Sequence, residues 1–145
     1  HLLSRRQRQM CKETALRQCG LKAEPQQAGS SYYVSQCMER HLPRLLKLGV
    51  TALVCSHDQM ANAAIIQCTE LGYSVPKDIS VIGFDDLAIC PYTSPPLTTI
   101  RQNRTQLGKS GYYALNSLLN DIPISTLLLH TELIVRGSTA PPPKK

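Results

Sequence analysis

Two short apolar runs constrain this chain more than any other feature: "VTALVC" (50–55) and "ISVIGF" (79–84), with a stretch of helical length between them. Both are rich in β-branched residues and bounded by polar or turn residues, which predicts buried strands. Between them, residues 58–71 place Ala61, Ala64, Ile65 and Cys68 on one helical face. Gly72 closes that helix, and Pro76 prevents its resumption. Strand, helix and strand at this spacing predict a β-α-β unit, hence parallel strands joined by a right-handed crossover.

The flanking sequence extends the pattern. Residues 6–18 form a loose helical pattern closed by Gly20, and a polar connector covers 22–31. A second helix is expected over 34–48, ending at Gly49, with Pro43 inside it to bend or divide it. "LTTI" (97–100) reads as a third strand and 105–119 as a helix with Leu107, Gly111, Ala114, Leu115, Leu118 and Leu119 at helical spacing. "LLLHTELIV" (127–135) reads as a last strand, and "APPPKK" as a disordered tail. The class is therefore α/β, an open parallel sheet with helices on both faces. A length of 145 residues and 42% hydrophobic content suit one domain with a core.

Composition narrows the function classes. No apolar run approaches the roughly 20 residues of a membrane span, and "HLLSRRQRQM" is not apolar enough for a signal peptide, so neither insertion nor secretion is expected. The cysteines, Cys11, Cys19, Cys37, Cys55, Cys68 and Cys90, show no C-x-x-C and no metal spacing. They read as small hydrophobes in a reducing cytoplasm, with no metal and no cofactor implied. The net charge of +6 is spread along the chain and few aromatics accompany it, so it argues only weakly for nucleic acid.

In an open parallel sheet, ligands bind outside the carboxyl ends of the strands. The first central strand runs into Ser56, His57 and Asp58, the second into Asp85 and Asp86. Successive residues of an extended chain point to opposite sides, so one of Asp85 and Asp86 is expected to face a cleft while the other serves structure. Asp58 precedes a helix and reads as its cap. His57 could act as a base, but no nucleophile motif accompanies it, and a hydrogen-bonding role is favoured. Arg5, Arg6 and Arg8 fit either an anion or polyol site or a solvated helix start.

Four blocks resemble, in order and spacing, the C-terminal half of the LacI/GalR (lactose-repressor) family of transcription regulators. They are "TALVCSHDQMANAAI" (51–65), "ELGYSVPKDISVIGFDD" (70–86), "PPLTTIRQNRTQLG" (95–108) and "ELIVRGSTAP" (132–141). The resemblance implies a type I periplasmic-binding-protein-like core. Residues 1–96 would be its C-terminal lobe without the first strand, 97–120 a crossing to the N-terminal lobe, 121–136 the return and 137–145 the tail. It implies no enzymatic activity. A small molecule, a sugar or sugar derivative, would sit between the lobes and control operator affinity in a cytoplasmic homodimer, with DNA contacted by a head domain outside this chain. A solute-binding protein of sugar transport shares the fold and is the alternative.

Carried over by position, Arg8 and Asp85 resemble the residues that hold effector oxygens, with Asp86 and Asp58 in support. Gln102 and Asn103 fall on the cleft-side crossing, and Tyr32 or Tyr33 would supply a stacking wall. Arg104 stands where the family's namesake has an aromatic. His57 stands where many members have Asn, which points to a different effector preference. The dimer contact would use Ala61, Ala64 and Ile65 with Leu87 and Tyr92, an ordinary core face being the rival reading.

Overall fold

The computed structural model describes residues 34–142 and, in isolation, Gln18. Arg8, Tyr32 and nearly all of the expected 6–18 helix lie outside the described residues. In order, the elements are α1 (Val34–Lys47), β1 (Ala52–Val54), α2 (Asp58–Glu70), β2 (Ser80–Phe84), a 3-10 turn (Cys90–Tyr92), β3 (Thr98–Gln102), α3 (Arg104–Leu119) and β4 (Thr131–Ile134).

The strands form one sheet in the order β1-β2-β3-β4. β1, β2 and β3 are parallel, and the β-α-β unit is present as the spacing requires. β4 corrects the all-parallel expectation, because it runs antiparallel to β3 with Thr131 opposite Gln102. The reason is geometric. α3 leaves the carboxyl end of β3 and buries none of its residues, so it makes no crossover back along the sheet. The chain re-enters from the same edge and must run the other way. β3 is thus a full member of the sheet from Thr98 to Gln102.

α1 is a single helix with Pro43 inside it, not a divided one. Proline removes one internal hydrogen bond, but Leu42, Leu45 and Leu46 are buried and anchor the helix on both sides of the gap. α2 stops as expected at Gly72, whose φ of +82° suits a residue without Cβ, while the Tyr73 N–H donates to the Cys68 carbonyl at 2.8 Å.

Two apolar clusters hold the layers together. Leu42 and Leu46 of α1 meet Cys68 of α2 and Ile79. Ala61, Ala64 and Ile65 of α2 meet Val81, Cys55, Cys90 and Leu97. This overturns the dimer reading for Ala61, Ala64 and Ile65, which are buried within the chain itself. The cause is Gly83, where a Cβ would run into Asp58 Oδ1, so α2 lies too close to β2 for anything but small or well-fitted side chains. Leu87 packs against the same core, whereas Tyr92 is 82% exposed.

Residues 137–142, part of the tail expected from 137, pack against the sheet instead. Ser138 is fully buried between β2 and β3. Its carbonyl accepts from Val81 N–H at 2.8 Å, and its hydroxyl donates to Val81 O at 2.6 Å while accepting from Thr98 N–H at 2.8 Å. Backbone groups at the start of two strands need partners once buried, and this serine supplies them.

Candidate functional site

The β2–β3 ladder reaches past Phe84, where the Asp85 N–H donates to Ile100 O at 2.8 Å. The chain then turns through two positive φ values, +106° at Asp85 and +50° at Asp86. Side chains other than glycine avoid that region, and its occupation in succession at a strand end is the kind of strain that marks functional sites. Because these residues are not extended, the alternation argument for telling them apart does not apply. Partners separate them instead.

Asp58 holds this turn from below. Its buried carboxylate accepts from Leu87 N–H at 2.7 Å and from the Thr99 hydroxyl at 2.5 Å, tying α2 to the loop after Asp86 and to β3. It is not the helix cap. That role falls to His57, whose Nδ1 accepts from Met60 N–H at 3.1 Å, since an Asp at the first helical position already points into the core. Burial, together with the hydrogen bond and charge of Asp58, pushes the neighbouring Cys90 thiol up to about 12. Burial alone takes Cys68 to about 11.

Asp86 binds two arginines, Arg101 Nε at 2.6 Å and Arg136 at 2.7 Å, and Arg101 reaches Glu132 at 3.4 Å. Burial pushes the Asp86 carboxyl up, but hydrogen bonds and charge from Arg136 and Arg101 outweigh it and hold the group below its ordinary value. Asp85 is less committed. Its Oδ1 accepts from Gln102 Nε2 at 2.7 Å, and no second partner occurs among the described residues.

Both carboxylates open onto a cavity of about 460 Å³ at the carboxyl edge of β2 and β3. Arg101 and Gln102 of β3, the Asn103–Gln106 start of α3, and Leu128, His130 and Glu132 of the return segment complete its lining. Asn103 caps α3 by accepting from Gln106 N–H at 2.9 Å. Of the residues selected from sequence, Asp85, Asp86, Gln102 and Asn103 come together here. His57 does not line the cavity, because β1, which delivers it, is separated by β2 from the β3–β4 side. Arg101, His130, Glu132 and Arg136 were missed. For Leu128, His130 and Glu132 a signal existed, since residues two apart share one side of an extended chain. The leucines in that run drew it into a buried-strand reading.

The site offers one lightly engaged carboxylate, amide groups and guanidinium forks, a set suited to hydroxyl and anion recognition. Among the described residues no group of His, Cys, Asp and Glu is placed to hold a metal. No described helix is long and apolar enough to cross a membrane.

Over residues 1–139 the chain matches the family described as periplasmic binding protein-like domain. It is 39% identical over 134 residues to the HTH-type transcriptional regulator MalR of Streptomyces coelicolor, covering 87% of this chain and 38% of that protein. The chain belongs to the LacI family of regulators. Its fold is similar to that of the transcription regulator CcpA of Lactococcus lactis, with a TM-score of 0.78, 27% identity, and 89% of this chain and 48% of that one covered. The lac repressor dimer bound to operator and an anti-inducer gives a TM-score of 0.60 at 36% identity, over 66% of this chain and 35% of that one. As a LacI-family sequence, this chain spans about two fifths of the length of its curated relative MalR, and the cavity lies within the matched part.

Proposed function

We propose that this LacI-family chain is the effector-sensing and dimerising part of a DNA-binding transcription regulator, and that its ligand is a sugar or sugar derivative. The observation that carries this reading is Asp85, set by a doubly left-handed turn at the end of β2 with its carboxylate on the cavity and only Gln102 engaged. A carboxylate with free acceptor capacity beside an amide matches vicinal hydroxyls. Asp86, neutralised by Arg101 and Arg136, supports the turn without meeting the ligand directly.

Arg8 and Tyr32 would join from outside the described residues, and Asn103 from the start of α3. His57, which caps α2 through Nδ1 and does not line the cavity, has no part in the ligand set proposed here. Residues beyond β3, including α3, would form part of a second lobe, with the chain returning at β4. Exposure of every α3 residue to at least an intermediate degree supports that division. Closing two lobes on the ligand shifts the population between operator-binding and released forms, which requires contacts made better in the closed state. Operator DNA would be bound by a separate head domain, and dimerisation would use the surface around exposed Tyr92 and Ile66.

The test is Asp85→Ala in the full-length protein. Effector affinity is expected to drop by about 2 kcal/mol, the scale of a hydrogen bond to a charged group, with loss of the response on operator DNA. Unchanged affinity and response would remove Asp85 from the site.

A further inference from the structure

The Asp85–Asp86 turn takes φ values of +106° and +50° in succession, and a backbone so placed persists only where its surroundings hold it. Three pins do so. The Asp85 N–H donates to Ile100 O on β3, the Leu87 N–H donates to Asp58 of α2, and the Asp86 carboxylate between them takes Arg101 and Arg136. The two arginines are not equal. The Arg101 side chain is 48% exposed and also reaches Glu132, a setting in which an ion pair contributes little. The Arg136 side chain is 16% exposed against 10% for Asp86, and both prongs of its fork are occupied. Nη2 donates to Asp86 Oδ1 at 2.7 Å and Nη1 to the carbonyl of buried Leu97 at 2.8 Å, while the Arg136 backbone N–H donates to the Thr98 hydroxyl at 2.9 Å. A planar guanidinium anchored in this way fixes the carboxylate in place as well as in charge.

Arg136 also reaches the turn from a different part of the chain. It follows β4, on the segment that returns from α3, and lies 50 positions from Asp86. The other pins belong to α2 and β3, which precede α3. Arg136 itself does not line the cavity. Resting on the assignment of this cavity to the effector, we infer that Arg136 is a positioning residue for Asp85: by holding Asp86 it fixes the turn that presents the Asp85 carboxylate, so the effector site is complete only when the returning strand is seated on β3. Effector binding and seating of β4 then stabilise each other, because both favour the same arrangement of the turn.

The experiment is amide hydrogen exchange on the full-length protein, read at Asp85 and Leu87 in the turn and at Ala64 and Cys68 in the core. Arg136→Met, which keeps an aliphatic stem, should speed exchange at Asp85 and Leu87 about tenfold, the scale of one hydrogen bond to a charged group, with no equal change at Ala64 and Cys68. Arg136→Lys should restore part of the protection, and Asp86→Asn should reproduce the effect of Arg136→Met. The double variant should be no worse than either single one, since residues that act through one contact do not add. The same proteins are titrated by calorimetry with neutral hexoses, pentoses and their disaccharides. Affinity for whichever sugar binds the unaltered protein should fall about tenfold in both single variants and no further in the double one. Should Arg136→Met fail to fold, Arg136→Lys and Asp86→Asn carry the same test. Uniform acceleration at all four amides, additive losses, or sugar affinity unchanged in the single variants overturns the inference while the effector reading stands. If no sugar binds the unaltered protein, the effector reading falls, and the exchange rates alone decide whether Arg136 holds the turn.

Discussion

The two sides of the sheet are built differently. Toward β1 and β2, the helices α1 and α2 bury Leu42, Ile79, Val81 and Cys68 almost completely. Toward β4, α3 carries Leu107, Tyr112, Tyr113, Leu115, Leu118 and Leu119 and buries none of them. The hydrophobic spacing is helical on both sides, so the difference lies in covering, not in patterning. One side is a finished layer with its own core. The other leaves these apolar side chains exposed among the described residues. The candidate effector site sits where the two meet.

The sharpest test of that contrast compares two truncations in this chain by urea unfolding. Ile79→Ala, which empties a filled position, should cost about 3 kcal/mol. Leu115→Ala should cost less than about 0.5 kcal/mol, since that side chain is 58% exposed. Equal costs would break the comparison by showing that α3 is covered in solution.

Gly83→Ala probes the finished side alone. The added Cβ would clash with Asp58 Oδ1 and lie 3.0 Å from Leu97, so α2 or the Asp58 contacts must shift. A loss of about 2 kcal/mol is expected, together with disturbed effector binding, because Asp58 also fixes the loop after Asp86. A neutral result would mean that α2 is less closely seated on β2 than the structure has it.

The smallest effect concerns the joint between the sides, where Asp86 bonds Arg101 on β3 and Arg136 just after β4. A carboxyl held below its ordinary value contributes stability above that value, 3.8, and loses it as pH falls through the lowered native one. Between about pH 5 and about pH 3 the unfolding midpoint should therefore fall less steeply in Asp86→Asn than in the unaltered chain. Identical slopes would show that the arginine pairs do not hold in solution.

Much of the fold was legible. The β-α-β unit followed from two apolar runs around a helical stretch, and Gly72 marked the end of α2. The direction of β4 was not legible, because strand polarity depends on which edge the chain returns to, and that depended on α3 failing to pack. Ser138 looked like tail because nothing in one polar residue announces that it will satisfy two buried strands. At the site, position at a strand end picked out Asp85 and Asp86, while Arg101 and Arg136 became visible only through their ion pairs with Asp86, which join residues 15 and 50 positions apart.

The alanines of α2 show the same boundary from another side. Their spacing placed Ala61, Ala64 and Ile65 on one face, but a periodic apolar face fits a core and a dimer contact equally well. Gly83 decided for the core by letting the helix come close. By itself, then, the sequence determined the local elements, the parallel pairing at the centre and the strand-end carboxylates, because periodicity, chirality and turn chemistry act over neighbouring residues. Only the tertiary structure decided which apolar face is covered, which way the last strand runs and which carboxylate is neutralised. Those depend on long-range contacts that no window of residues contains.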